Sequence, residues 1–167
     1  IMLSGALNKT ISFSEMNKNL AVSYLGNFIG SVLVAYLAFG ANTAAAPALK
    51  AAVVGMATAK CALPFSVAFC KGIFCNWLVG LAIWGATSTT SVAGKILAIF
   101  WPISTFVALG FEHSVANMML IPHGMLNGAN VTWGQMMMNN ILPVTLGNFV
   151  GGMLFVAGLH WYAYGKK

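Results

Sequence analysis

The stretch Gly110-Phe111-Glu112-His113-Ser114-Val115-Ala116-Asn117 decides the reading of this chain, because it sets an acid, an imidazole and an amide inside an otherwise apolar run from Ile96 to Ile121. Ionisable groups at that depth in a bilayer are expensive and mark permeation or proton paths. The glycine and the polar residues give a helix good reason to break here. Irregular backbone at membrane depth is tolerated only where it is buried in protein or lines a cavity. The stretch therefore points to a pore built around a discontinuous helix.

Composition supports the membrane setting. Apolar residues fill 59% of 167 positions, 6% are charged, and the mean hydropathy is +0.84, values outside the range of soluble domains. An all-α integral membrane protein follows. Crossing ~30 Å of hydrocarbon takes roughly 20 residues. Runs of that length lie at Asn19 to Gly40, Cys61 to Thr87, Ile96 to Ile121 and Met136 to Tyr164, the last ending in Trp161, Tyr162 and Tyr164 as an interfacial anchor.

All of the 8 basic residues are Lys, against 2 acids, Glu15 and Glu112. Tracing the runs alternately across the bilayer puts Lys9, Lys18, Lys95, Lys166 and Lys167 on one side, Lys50 and Lys60 on the other, and Lys71 inside a run. By the positive-inside bias the first side is cytoplasmic. That predicts a multi-pass protein of the cell membrane, with its C-terminus inside and a Lys50 to Lys60 loop outside. The net charge of +6 suits an anionic permeant or anionic lipid, and is too scattered to argue for nucleic acid. Ile1 to Leu7 is too short to span and lacks the basic start and cleavage site of a signal peptide. It reads as the end of an interrupted helix.

An internal repeat orders these runs. Leu25-Gly26-Asn27-Phe28-Ile29-Gly30 recurs as Leu146-Gly147-Asn148-Phe149-Val150-Gly151, with Asn19 matching Asn140; one residue out of step, Ile11-Ser12-Phe13-Ser14-Glu15 lies against Val131-Thr132-Trp133-Gly134-Gln135. Equivalent points are an odd number of crossings apart, so the copies run in opposite directions, the plan of many channels and transporters. Gly26 with Gly30, and Gly147 with Gly151, have the spacing that lets helices approach closely, and Asn27 and Asn148 are expected to bond between helices. The second unit contains the break; a matching helix and break are expected before Asn19, so that about one and a half helices would precede Ile1.

Three motifs now carry a resemblance. Gly72-Ile73-Phe74-Cys75-Asn76-Trp77-Leu78-Val79-Gly80-Leu81-Ala82 resembles the first-half signature of the formate/nitrite transporters, departing from it at Gly80, where Cys is commoner. Gly110 to Met118 resembles the second signature, and Asn140-Ile141-Leu142-Pro143-Val144-Thr145-Leu146-Gly147-Asn148 the last helix. The likeness covers essentially the whole chain and leans towards the hydrosulfide branch. It implies an aquaporin-like six-helix protomer, of which residues 1–167 would be one transmembrane channel domain running from the end of the second helix through the sixth. It also implies a homopentamer in which each protomer conducts a small monovalent anion such as formate, nitrite or hydrosulfide. Carried over, His113 is similar to the central pore histidine, Asn76 to the polar residue near it, Lys60 to a vestibule lysine and Phe106 to a constriction aromatic.

The residues' own chemistry fits these roles. Desolvation disfavours the imidazolium, so His113 would be largely neutral in an apolar channel. A bare anion in hydrocarbon costs on the order of 20 kcal/mol by an idealised Born figure, and a nearby proton donor relieves this by hydrogen bonding or by passing a proton. Glu112 would repel anions if it faced the lumen; it is expected to turn away and to accept from free N–H groups of the half-helix after the break. Asn117 belongs with Glu112 as a structural residue of the break. Lys60, read as a loop residue, would concentrate anions at the outer entrance. Phe106, seven residues before His113, would share its helical face and narrow the pore on the cytoplasmic side.

No cofactor is expected. Cys61, Cys70 and Cys75 form no C-x-x-C pair, and no cluster has metal-site spacing. The competing reading is a membrane-embedded redox enzyme subunit, which the absence of paired axial histidines within the runs disfavours. Partners are thus a small anion, the lipid bilayer and further copies of the chain.

Overall fold

The computed structural model describes residues 2–165; Ile1, Lys166 and Lys167, used above, lie outside them. The described residues form helices and turns only. Helix α1 is the short Met2–Leu7. Helix α2, Phe13–Gly40, starts earlier than hydropathy suggests because Ser12 and Glu15 form a capping box: Glu15 N donates to Ser12 Oγ at 3.1 Å, and Ser12 N to Glu15 Oε2 at 2.7 Å. Its 28 residues reach about 42 Å, enough to cross.

The expected outer loop from Lys50 to Lys60 is instead a helix, α3, spanning Pro47–Cys61. Pro47 sits in its first turn, where a missing N–H costs nothing, and the alanine-rich sequence behind it has high helix propensity. A 15-residue helix falls short of a span, which is why hydropathy alone leaves it out. Helix α4, Phe65–Thr87, begins after Pro64 rather than at Cys61, since the residue before a proline avoids helical backbone.

The third apolar run divides as its sequence predicts. Helix α5 covers Val92–Ala108 and helix α6 Ser114–Leu126, 17 and 13 residues. Neither alone crosses ~30 Å; end to end they do. Between them Gly110 takes φ 63°, a left-handed turn that glycine adopts without strain. Helix α7, Trp133–Tyr164, opens with a second capping box, Thr132 with Gln135. Both copies of the repeat therefore start with the same cap. Within α7, Met136–Ile141 and Val150–Gly158 are π-helical.

Lipid offers helices no hydrophobic reason to associate, so close packing and polar bonds must do it. Helix α4 lies against α7 where a Cβ on Gly147 would meet the Phe69 carbonyl and one on Gly151 the Ile73 carbonyl. Helix α3 meets α6 the same way, Gly124 against Ala57. Met118, Ile121, Met136 and Ile141 fill the centre with Ala57 and Cys61. Large apolar side chains on α2 and α5, such as Leu37 and Trp101, point outwards, as expected where the solvent is hydrocarbon. The first repeat copy departs from expectation: a Cβ on Gly26 or Gly30 would meet nothing within 4 Å, and the exposed Asn27 side chain makes no hydrogen bond among the described residues. Their face of α2 carries no helix here.

Candidate pore site at the helix break

A break leaves N–H and C=O groups without helical partners, and at membrane depth each must be satisfied internally. Asn148 of α7 supplies most of the repair. Its Oδ1 accepts from Ser114 N at 2.9 Å and Ser114 Oγ at 3.0 Å, while its Nδ2 donates to Gly72 O at 2.9 Å and Glu112 O at 3.0 Å. The amide thus clamps both neighbours of His113 to α4. Phe111 N reaches back to Phe106 O at 3.0 Å, and Glu112 N points at Lys71 O at 3.4 Å.

His113, and not Glu112, caps the second half-helix. Its backbone is extended and its Nδ1 accepts from Ala116 N at 3.3 Å. A ring nitrogen that accepts carries no proton, so the neutral ring holds its proton on Nε2. The free donor therefore points away from the helix it caps. The Phe106 ring lies 6.0 Å from the imidazole, the planes 23° apart. Shared helical face does not explain this pairing, because α5 has ended by then; the turn at Gly110 folds His113 back beside Phe106.

Contrary to expectation, Glu112 does not accept from the free N–H groups of α6; its partners are side chains. Its carboxylate, buried, accepts from Lys60 Nζ at 2.9 Å, Asn117 Nδ2 at 2.6 Å and Asn140 Nδ2 at 3.1 Å. Lys60 is in the last turn of α3, its side chain 15% exposed against 4% for Glu112. It is no solvated loop lysine. Asn117 also donates to Asn140 Oδ1 at 2.8 Å, and its own Oδ1 is the one buried side-chain polar atom without a partner among the described residues. Holding the carboxylate outranks satisfying that oxygen.

Asn76 donates to Asn148 O at 2.7 Å and lines a cavity of about 500 Å³ between α1, α4 and α7, together with Asn148, Trp84 and Thr87. His113, Phe106 and Lys60 are not on that cavity. The four residues are therefore linked through Asn148 and Glu112 rather than gathered on one surface. Sequence reading gave Asn140 a place in the repeat, matched with Asn19, and in the last-helix motif, but no role beside Glu112. His123 is buried, with Nε2 3.3 Å from Thr43 Oγ1.

The profile of the family described as formate/nitrite transporter matches residues 1–162. The chain belongs to the formate/nitrite transporter family. It is 42% identical over 178 residues to a probable formate transporter of Methanothermobacter thermautotrophicus, covering 98% of this chain and 65% of that one. It is also 42% identical over 161 residues to the nitrite transporter NirC of Salmonella typhimurium, covering 95% and 59%. A solved structure described as a pentameric formate channel with formate bound superposes with a TM-score of 0.83 at 32% identity, over 93% of this chain and 69% of that one. The chain thus spans about two thirds or less of the two curated relatives' length. Members of a formate/nitrite transporter family are transporters, not enzymes, which removes the redox-subunit alternative.

Proposed function

We propose that this protein is a membrane channel for a small monovalent anion, formate, nitrite or hydrosulfide, linked to protons through His113. The observation that carries the reading is the capped histidine: a neutral imidazole fixed in a helix break beside the Phe106 ring, with Nε2–H left as the free donor. An anion meeting that donor gains a hydrogen bond; it also favours uptake of a second proton by the ring from the aqueous side, and the imidazolium can then pass one proton to the anion, which crosses as the neutral acid while the ring returns to its neutral form. Either way the cost of burying a bare charge falls. Lys60 attracts the anion, Asn76 lies on the inner approach and Phe106 forms the constriction. Glu112 and Asn117 shape the break.

Residues 1–167 act as one channel domain, with the C-terminus on the cytoplasmic side of the cell membrane. The protomer joins a homopentamer in which each copy has its own path, a reading supported by the likeness to the pentameric formate channel. Equal identity to a formate and a nitrite transporter leaves the preferred ion to experiment. Uptake into proteoliposomes, with formate, nitrite and hydrosulfide in competition, tests the reading: saturable, mutually competitive uptake is expected. No uptake of any of the three above empty liposomes would contradict it.

A further inference from the structure

The ion pair beside the break has a built-in direction. Lys60 and Glu112 are 52 residues apart, and the carboxylate is the deeper partner. What keeps it deep is a pair of amides: Asn117 and Asn140 both donate to Glu112 Oε2. Asn140 does more, since its Nδ2 also donates to Lys60 O at 3.0 Å. One fully buried side chain thus grips the acid by its side chain and the base by its backbone. The π-helical segment Met136–Ile141 supports this grip, because neighbouring Asn139 and Asn140 both reach carbonyls at the end of α3, Cys61 O at 3.3 Å and Lys60 O at 3.0 Å. Single π turns inside α-helices occur often at functional sites.

We infer that Asn140 is a positioning residue for permeation: it anchors the Glu112 carboxylate away from the path and holds the end of α3, so that the oriented pair presents its ammonium end to the anion. Held at Oε2 by the two amides, the carboxylate keeps Oε1 turned to the Lys60 ammonium at 2.9 Å. A loosened carboxylate would instead share the entrance with the cation and cancel it. The inference rests on the anion-channel reading.

The test uses the whole protein in proteoliposomes, with Asn140→Leu, the size-matched Asn140→Asp, and Gly55→Ala, on α3 where an added Cβ meets nothing within 4 Å, as a control that touches neither charge. Two quantities are read: the formate concentration giving half-maximal uptake, and the infrared carboxylate bands of Glu112, assigned by subtracting Glu112→Gln. The unsubstituted protein should show an ionised Glu112. Both Asn140 variants should raise half-saturation about fivefold, the equivalent of one ordinary hydrogen bond, and should shift the Glu112 carboxylate stretch, which loses a donor at Oε2. Gly55→Ala should do neither. A protonated Glu112 in the unsubstituted protein overturns the inference even if neither variant folds. A folded Asn140 variant with unchanged half-saturation and bands overturns it while leaving the channel reading intact. Absence of uptake by the unsubstituted protein overturns both.

Discussion

Asn148 has every hydrogen-bonding group of its side chain engaged at the break, two donated and two accepted. Replacing it with Leu keeps the bulk and leaves Ser114 N, Gly72 O and Glu112 O without partners. Each orphaned buried group costs about 1–3 kcal/mol, so Asn148→Leu should destabilise the protein by at least about 2 kcal/mol, read as a lower thermal midpoint in detergent. An unchanged midpoint would show that these bonds are replaceable. The neighbouring ring makes a different prediction. Phe106→Ala removes the face stacked on His113 and should raise anion flux without lowering the midpoint; flux equal to the parent protein's would mean that the ring only packs. Much at this scale was legible: an acid, an imidazole and an amide in an apolar run announce themselves. The pairing of Glu112 with Lys60 was not, because nothing local connects two residues 52 positions apart.

Among elements, contact between α4 and α7 depends on what is missing from two side chains. A Cβ on Gly151 would press on the Ile73 carbonyl, and its backbone neighbours leave no room to yield. Gly151→Ala should therefore cost about 1–3 kcal/mol and weaken assembly on size-exclusion chromatography. Gly55→Ala on α3, with nothing within 4 Å, should be neutral or slightly stabilising, as alanine is the better helix former. Equal effects from the two substitutions would undo the packing account. The long apolar helices were readable from hydropathy, and the break from its polar residues. Helix α3 was not, being too short to span and lacking an apolar stripe. The π-helical segments of α7 leave no pattern in composition; in the first of them Asn139 and Asn140 reach carbonyls at the end of α3.

At the scale of the whole molecule, the repeat found by residue matching is also a structural one: Ser12 with Glu15 and Thr132 with Gln135 make the same cap at the start of equivalent helices. The copies differ in what they hold. Asn148 clamps a broken helix, whereas the Asn27 side chain has no hydrogen-bond partner among the described residues. All of this converges on His113, held between clamped neighbours with one ring nitrogen committed to the α6 cap. Formate uptake into proteoliposomes by His113→Phe, in protein that keeps its oligomeric size on chromatography, tests that claim most directly. A ring of similar bulk without a proton to donate should slow uptake at least about a hundredfold, the low end of what a positioned proton donor contributes. Uptake by the assembled variant at the rate of the unsubstituted protein would contradict the account.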